Sequence, residues 1–307
     1  MNADAQSDTP AAVNRLHQAA LTALLPAAVL ISVLSFSYAL ATGQSMETAI
    51  LWPSLLALSL AMVMERVMPH RSEWNQHQGD RGTDGLSFAA LAGGAEPLVK
   101  WLSPVAVVAL YGWLGEPSGL FPSEWPFVLQ VVLVTLLAEL GKYWGHRWHH
   151  SHRALWWLHA LHHSSQRLYA LNNFRLHPLE YVVKHALSML PLMLLGAPVD
   201  ALLAYIALTQ PVQMLQHVNL PLRHGWLNYF FSTNTLHQWH HSRERSEGNC
   251  NFGSALVVWD QVFGTYHNPT GSASPAQVGL YEGSAYPANK PFVAQVLSMF
   301  SPGCCKA

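Results

Sequence analysis

Five apolar runs, separated by shorter polar stretches, dominate the pattern of the chain. They cover residues 19–41, 49–64, 86–114, 127–144 and 181–214. Runs near 20 residues are long enough to cross a bilayer as helices, which satisfy every backbone polar group internally. The pattern therefore predicts an all-α, polytopic transmembrane helical bundle of about four full spans plus a broken or re-entrant helix pair.

Two of these runs contain helix breakers. The third holds Gly93, Gly94 and Pro97 together with the charged Glu96, so it is predicted to be a broken helix or a surface segment followed by a span. The fifth is interrupted at residues 196–198 (Gly-Ala-Pro), and this punctuation favours two helices that turn back on each other.

The polar segments at the ends set the expected domain limits. Residues 1–16 are small and polar without apolar periodicity, which predicts a disordered N-terminal tail. Residues 17–267 are expected to form a single membrane-embedded domain. Residues 268–307 are expected to form a C-terminal cytoplasmic tail.

Composition agrees with a membrane protein. Of 307 residues, 50% are hydrophobic and only 11% are charged, and the formal net charge of -1 gives no basic excess to attract nucleic acid. Cys250, Cys304 and Cys305 are too few for a disulfide framework and lack the spacing of a zinc ribbon. They are expected to be reduced or incidental.

The loop charges predict the orientation. Residues 42–48, 115–126 and 196–200 contain no Lys or Arg, whereas residues 66–81 and 142–175 contain many. Cytoplasmic loops collect Lys and Arg. The sequence therefore predicts a multi-pass protein of a bacterial inner membrane or an endoplasmic-reticulum-like membrane, with its active site in a cytoplasmic helical cap.

Histidine is unusually frequent. There are 18 histidines against 16 Lys and Arg together, and 14 of them lie between His146 and His241. Three clusters, called the first, second and third histidine boxes, repeat one helical spacing at residues 146–150, 159–163 and 237–241. Side chains at i, i+3 and i+4 share one face of a helix, so the rings within each cluster can meet at a metal ion.

The number of clustered imidazoles indicates two metal ions. Eight or more converging nitrogens exceed the needs of one ion, and neutral imidazole binds iron, zinc, copper and nickel. Isolated histidines near a membrane are more often interfacial or structural. That reading is preferred for His149, His152, His185, His224 and His267.

These segments resemble the fatty acid hydroxylase and sterol desaturase superfamily of membrane di-iron oxygenases. The resemblance rests on residues 143–150 (YWGHRWHH), 158–164 (LHALHHS), 175–180 (RLHPLE), 217–219 (HVN), 237–241 (HQWHH), 251–253 (NFG) and 259–266 (WDQVFGTY). It implies as metal ligands His146, His150, His159, His162, His163, His217, His237, His240 and His241. The closing 259–266 segment is expected to pack a loop under the site.

Two positions depart from the family pattern. Glu139 stands seven residues before the first box, where Asp is common, and is a candidate partner for a ligand histidine. Gln213 replaces the first histidine of a pair that ends at His217, and His177 and His224 are candidates to compensate. Further candidates to orient ligands are Asn173, Arg175, His177 and Glu180.

The resemblance implies an O2-dependent oxidoreductase that hydroxylates or desaturates a lipid-like substrate, such as a sterol, fatty acyl chain or ether lipid. Its cofactors would be two iron ions, replaceable by zinc on purification, with O2 as co-substrate. No flavin, haem or nucleotide motif is visible, so an external electron donor (ferredoxin, cytochrome or reductase) is expected. A di-zinc membrane hydrolase and a non-enzymatic metal-binding membrane protein are the alternatives.

Overall fold

The computed structural model describes residues 11–115, 120–269, 274–301 and 304–305. Within them, regular structure is helical, and β pairing is confined to two isolated bridges. The helices are α1 (Ala11–Thr42), α2 (Met46–Val67), α3 (Arg81–Ala90), α4 (Glu96–Leu114), α5 (Phe127–Ser151), α6 (Arg153–His163), α7 (Pro178–Leu194), α8 (Val199–Met214), α9 (Asn234–His240), α10 (Arg245–Gly248), α11 (Val258–Val262) and α12 (Phe292–Leu297). The predicted all-α class is confirmed.

Among the described residues, three helices are long and apolar enough to cross a membrane. They are the segments Arg15–Thr42, Met46–Val67 and Phe127–Ser151, which correspond to α1, α2 and α5. Helix α8 packs against all three and buries Ala201, Tyr205 and Ala207 between them. Large apolar side chains such as Leu34, Leu56 and Val128 remain exposed on the outer faces, as expected of helices that face lipid.

The third predicted span is helical throughout its described length, with a change of helix type at its glycines instead of a break. Helix α3 passes through a π-helical turn, Leu91–Ala95, into α4. This turn contains Gly93 and Gly94. Glycine has no side chain to restrict its backbone, so the chain can depart from regular α-helical geometry here. The 19 residues of α4 rise about 28 Å, close to the thickness of a bilayer core.

The fifth run forms two helices, as predicted. Helix α7 ends at Leu194 and α8 begins at Val199. Gly196 between them has φ +83°, a conformation that suits glycine, and Pro198 occupies the N-cap of α8. The turn folds α8 back so that α7 and α8 both pack against α5.

The two ends of the chain differ from expectation. Residues 1–10 of the predicted tail lie outside the described residues, but α1 already begins at Ala11, because Ala11, Ala12 and Leu16 are strong helix formers. The segment predicted as a C-terminal tail packs on the cap instead. Its Val278, Tyr281 and other apolar side chains are buried there.

The cysteines are not all reduced. Cys304 and Cys305 form a disulfide, because a turn at the end of the chain brings the thiols of these neighbours together. Cys250 is free and buried.

The cap is built from α6, α9 and the loops around them. It closes over the end of α5 that carries His146 and His150. A core of Trp157, Leu161, Tyr286 and Phe292 joins α6 to the C-terminal segment. This packing fixes the histidine-bearing face of α6 toward α5 and α9.

Candidate metal centre

Nine histidines converge in two neighbouring groups. In each group, one ring nitrogen from every member lies within 4.8 Å of the others. The first group comprises His146 and His150 from α5, His159 and His163 from α6, and His240 from α9. The second comprises His162 from α6, His217 from the loop after α8, His237 from α9, and His241 at its C-cap.

Two helices supply members to both groups. In α6, His159 and His163 lie one turn apart and face the first group, while His162 is turned toward the second. In α9, His237 faces the second group together with His241, the C-cap residue, while His240 faces the first. The repeated spacing of the two boxes thus places a pair of rings on one side and a third ring on the other.

Hydrogen bonds fix which ring nitrogen of His146 and of His159 is unprotonated. Nδ1 of His146 donates to the carbonyl of Phe252 at 2.8 Å, and Nδ1 of His159 donates to Glu180 at 2.7 Å. Both rings, when neutral, therefore present an unprotonated Nε2. These two Nε2 atoms face each other at 3.0 Å. Two lone pairs at this distance repel unless a cation lies between them.

The second group is arranged in the same way. Nδ1 of His162 donates to the carbonyl of Arg175, and Nδ1 of His217 donates to the side-chain oxygen of Asn172. Their Nε2 atoms therefore carry the free lone pairs. Nε2 of His217 lies 2.9 Å from that of His237, and Nε2 of His162 lies 3.2 Å from that of His241.

These distances suit nitrogens that share one transition-metal ion. Bonds of about 2.1 Å at right angles place adjacent ligand nitrogens about 3.0 Å apart, whereas tetrahedral bonds of that length separate them by about 3.4 Å. The Nε2–Nε2 pairs of the two groups lie 2.9–3.2 Å apart. Nε2 of His150 and of His240 are buried without a hydrogen-bond partner in the described structure. The donor set therefore fits two transition-metal ions, one held by each group.

Burial keeps the cap histidines neutral. It lowers the pKa of His159 and His163 well below the ordinary range, and nearby imidazoles lower both further. Burial also lowers the pKa of His217 to about 3 and that of His240 to about 4. Neutral imidazole is the form that binds metals. At neutral pH these rings are therefore ready ligands.

Glu180 supports the first group from behind. It is fully buried at the first turn of α7, and its Oε1 also lies 2.6 Å from Nζ of Lys184. A carboxylate that accepts from His159 holds the ring in one tautomer and makes its free nitrogen more basic. Of the five residues expected to orient ligands, Glu180 makes this contact with its side chain.

Arg175 and its neighbours support the second group. The carbonyl of Arg175 accepts from His162, while its guanidinium is buried against Asp84 and Ser164. His217 is oriented by Asn172, although Asn173 was the expected residue. Asn172 in turn donates to Ser165 and to the backbone of Arg167, so its amide is oriented by the loop that precedes it.

Within the described residues, no hydrogen bond joins Glu139 to a histidine. It is buried in α5, accepts from Tyr205 at 2.7 Å, and accepts from the backbone N–H groups of Ala255 and Leu256. The expected contact with a ligand histidine is not made because seven residues of helix place Glu139 about 10 Å from His146 along the axis of α5. It instead anchors the loop beside the site.

The 259–266 segment packs the preceding loop, residues 251–256, under the site. Asp260 accepts from the backbone N–H groups of Phe252 and Gly253, each at 2.7 Å, and the Phe252 carbonyl holds His146. A side chain at Gly253 would collide with Asp260 and the Leu256 backbone. Burial raises the pKa of Asp260 to about 6 even though these hydrogen bonds oppose the shift.

The residues proposed to compensate for Gln213 lie outside both groups. His177 caps α7 and lies 3.2 Å from the carbonyl of Val296. His224 lies 2.6 Å from the side-chain oxygen of Asn234. Gln213 itself donates to Ser254. The second group thus contains four histidines against five in the first.

Comparisons with known proteins agree with this site. A profile of the fatty acid hydroxylase family matches residues 131–265. The chain is also similar to the ornithine lipid hydroxylase OlsE of Rhizobium tropici, with 38% identity over 300 residues that cover 94% of this chain and 86% of that protein. A comparison with solved structures gives no match. The matched profile spans every member of both histidine groups.

Proposed function

Because this chain belongs to the fatty acid hydroxylase superfamily, we propose that it is an O2-dependent hydroxylase of a membrane lipid whose nine clustered histidines hold two iron ions. The observation that carries the proposal is the pair of abutting all-histidine groups with unprotonated nitrogens turned inward. Two bound irons would supply the activation of O2 for attack on an unactivated C–H bond.

The chain's own residues have three tasks in this reaction. The oxygens of Phe252, Glu180 and Arg175 hold three ligand rings in one tautomer, so the nitrogens are ready without rearrangement. The aromatic and apolar cap excludes bulk water from a site where reactive oxygen is handled. The partly exposed His150 lies at the side of the first group where a substrate can approach.

The relative's name supports the substrate class. Since OlsE is an ornithine lipid hydroxylase and aligns over nearly the whole chain, an ornithine lipid is the first substrate to test. Hydroxylation is favoured over desaturation for the same reason. Electrons would come from a separate ferredoxin, cytochrome or reductase, and the loop charges support an active site on the cytoplasmic face.

Purified protein and 18O2 test the proposal. The metal-loaded enzyme, given ornithine lipid and a reducing system, should contain about two irons per chain and add one 18O atom to the lipid. His240→Ala, which removes a ligand of the first group, should lose this product. Cleavage of the lipid with zinc bound would instead indicate the di-zinc hydrolase. Retention of metal without any reaction on lipid would indicate a metal-binding protein and overturn the proposal.

A further inference from the structure

A cavity of about 390 Å3 opens beside the first histidine group. It lies between the end of α5, the start of α6, α10 and the 281–285 segment. Its lining includes His150, Arg153, Trp156, Arg245, Tyr281 and Glu282. His150 is the one member of either group that is partly exposed. The cavity therefore reaches the edge of the first group at His150.

Aromatic side chains connect the mouth of this cavity to His150. The guanidinium of Arg245 lies 5.1 Å from the centre of the Tyr281 ring. Tyr281 stacks on Trp156 at 5.1 Å, and its hydroxyl lies 3.2 Å from Nδ1 of His150. A ligand that reaches Arg245 is thus two side-chain contacts away from the first group.

The mouth carries unpaired charges of both signs. Arg153, Arg245 and Glu282 are exposed, and within the described residues none of them forms an ion pair. Buried arginines elsewhere in the cap are paired, as Arg167 is with Asp80. Guanidinium groups bind carboxylates and a carboxylate binds ammonium groups. The cavity therefore offers partners for a ligand that carries both charges.

A second cavity of about 420 Å3 has the opposite character. It is an apolar groove between α5 and α7, and its walls include Leu140, Trp144 and Leu187. Trp144 and His146 are two residues apart on α5, so they point about 200° away from each other around the helix. The groove suits an apolar chain but lies on the side of α5 away from the histidines. The charged cavity is the one that reaches them.

We propose that the charged cavity binds the zwitterionic headgroup of the lipid substrate, with its carboxylate against Arg153 and Arg245 and its ammonium group against Glu282. The inference rests on the proposed function, which names an ornithine lipid as the first substrate. Ornithine acylated through one amine keeps a carboxylate and a second amine. Its headgroup therefore matches both signs of charge in the cavity.

Three lipids and three variants test the assignment. The lipids are ornithine lipid, its methyl ester, which removes the negative charge, and its N-acetyl derivative, which removes the positive charge. The variants are Arg153→Gln, Arg245→Gln and Glu282→Gln. Arg223→Gln and Glu124→Gln are controls, since both residues are exposed outside the cavity. Binding is measured by titration in non-ionic detergent micelles, and kcat/KM by product mass.

The wild type should prefer ornithine lipid about tenfold over each neutralised lipid, the size of one charge-assisted hydrogen bond. Glu282→Gln should lose the preference over the N-acetyl lipid and keep that over the ester. The arginine variants should show the reverse, and the controls should match the wild type.

Variants that discriminate like the wild type would overturn the assignment. So would variants that raise KM for the electron donor alone, since the charges would then dock that protein, and a wild type that binds none of the three lipids. If the wild type binds ornithine lipid with the expected charge pattern but adds no oxygen to it, the headgroup site stands and the proposed reaction fails.

Discussion

Replacement of Glu180 by glutamine tests whether the first histidine group is a metal site that depends on a carboxylate behind it. Glu180 is fully buried and accepts from Nδ1 of His159 at 2.7 Å. Nε2 of His159 in turn lies 3.0 Å from that of His146 and 3.1 Å from that of His163, so it is central in the group. The substitution keeps the side-chain shape and removes the charge.

The magnitude follows from this geometry. Loss of a carboxylate behind a ligand histidine weakens metal binding about 10- to 100-fold, and loss of a buried charged hydrogen bond costs about 1.5–3 kcal/mol of stability. The second group makes no contact with Glu180, so it should keep its affinity. Metal titration of Glu180→Gln should therefore show one tight and one weakened site, where the wild type shows two tight sites.

Chelator competition followed by metal analysis gives the two affinities, and thermal unfolding with and without metal gives the stability change. Glu96→Gln is the matched control, because Glu96 also pairs with a lysine four residues away but on the surface. That pair is worth at most about 1 kcal/mol, and its loss should leave both sites tight. Two unchanged sites in Glu180→Gln, or an equal loss at both, would refute the reasoning.

Three further predictions use the same purified protein or its cells. His162→Ala should lose metal and activity. His149→Ala removes a buried ring outside both groups, so it should keep two metals. The same unfolding assay should show that it loses about 1–3 kcal/mol of stability. Reporter fusions at Gln44 and Gln78 should give opposite signals if the centre is cytoplasmic, and equal signals would contradict this orientation. Burial lowers the pKa of His224 to about 4. Between pH 6.5 and 4 the unfolded chain therefore binds more protons at this residue than the folded chain does. The free energy of unfolding should fall by up to about 3 kcal/mol as pH drops through this window. His224→Gln does not titrate and should unfold at lower pH by circular dichroism; an unchanged acid midpoint would exclude this cause.

Local periodicity predicts that the histidines of the second and third boxes converge, whereas the place of His217 among them followed only from the family resemblance. The i, i+3, i+4 spacing in α6 and α9 places three rings of each box near one face, and this spacing is visible in the sequence. The division into two groups was not visible. Whether His162 joins His159 or His217 depends on which elements surround α6, and only tertiary packing fixes that.

The supporting contacts were harder to predict, because they cross long sequence separations or depend on local helix type. Asn172 and Asn173 look equivalent in the sequence. They lie in the 3-10 helix Ala170–Phe174, where successive side chains turn by about 120°, so Asn172 faces His217. The sequence pattern does not point to Tyr281, because it predicts a tail for residues 268–307. The aromatic and apolar residues of this segment were the available signal.

The C-terminal segment has a consequence for truncated chains. Gly279 donates to the carbonyl of His241, and Tyr281 lies against His150 and Trp156, so one wall of the candidate centre comes from a segment outside the three histidine boxes. A chain truncated before residue 278 keeps all nine clustered histidines but lacks this wall. Its two histidine groups should therefore be open to water and chelators on the side that Tyr281 covers.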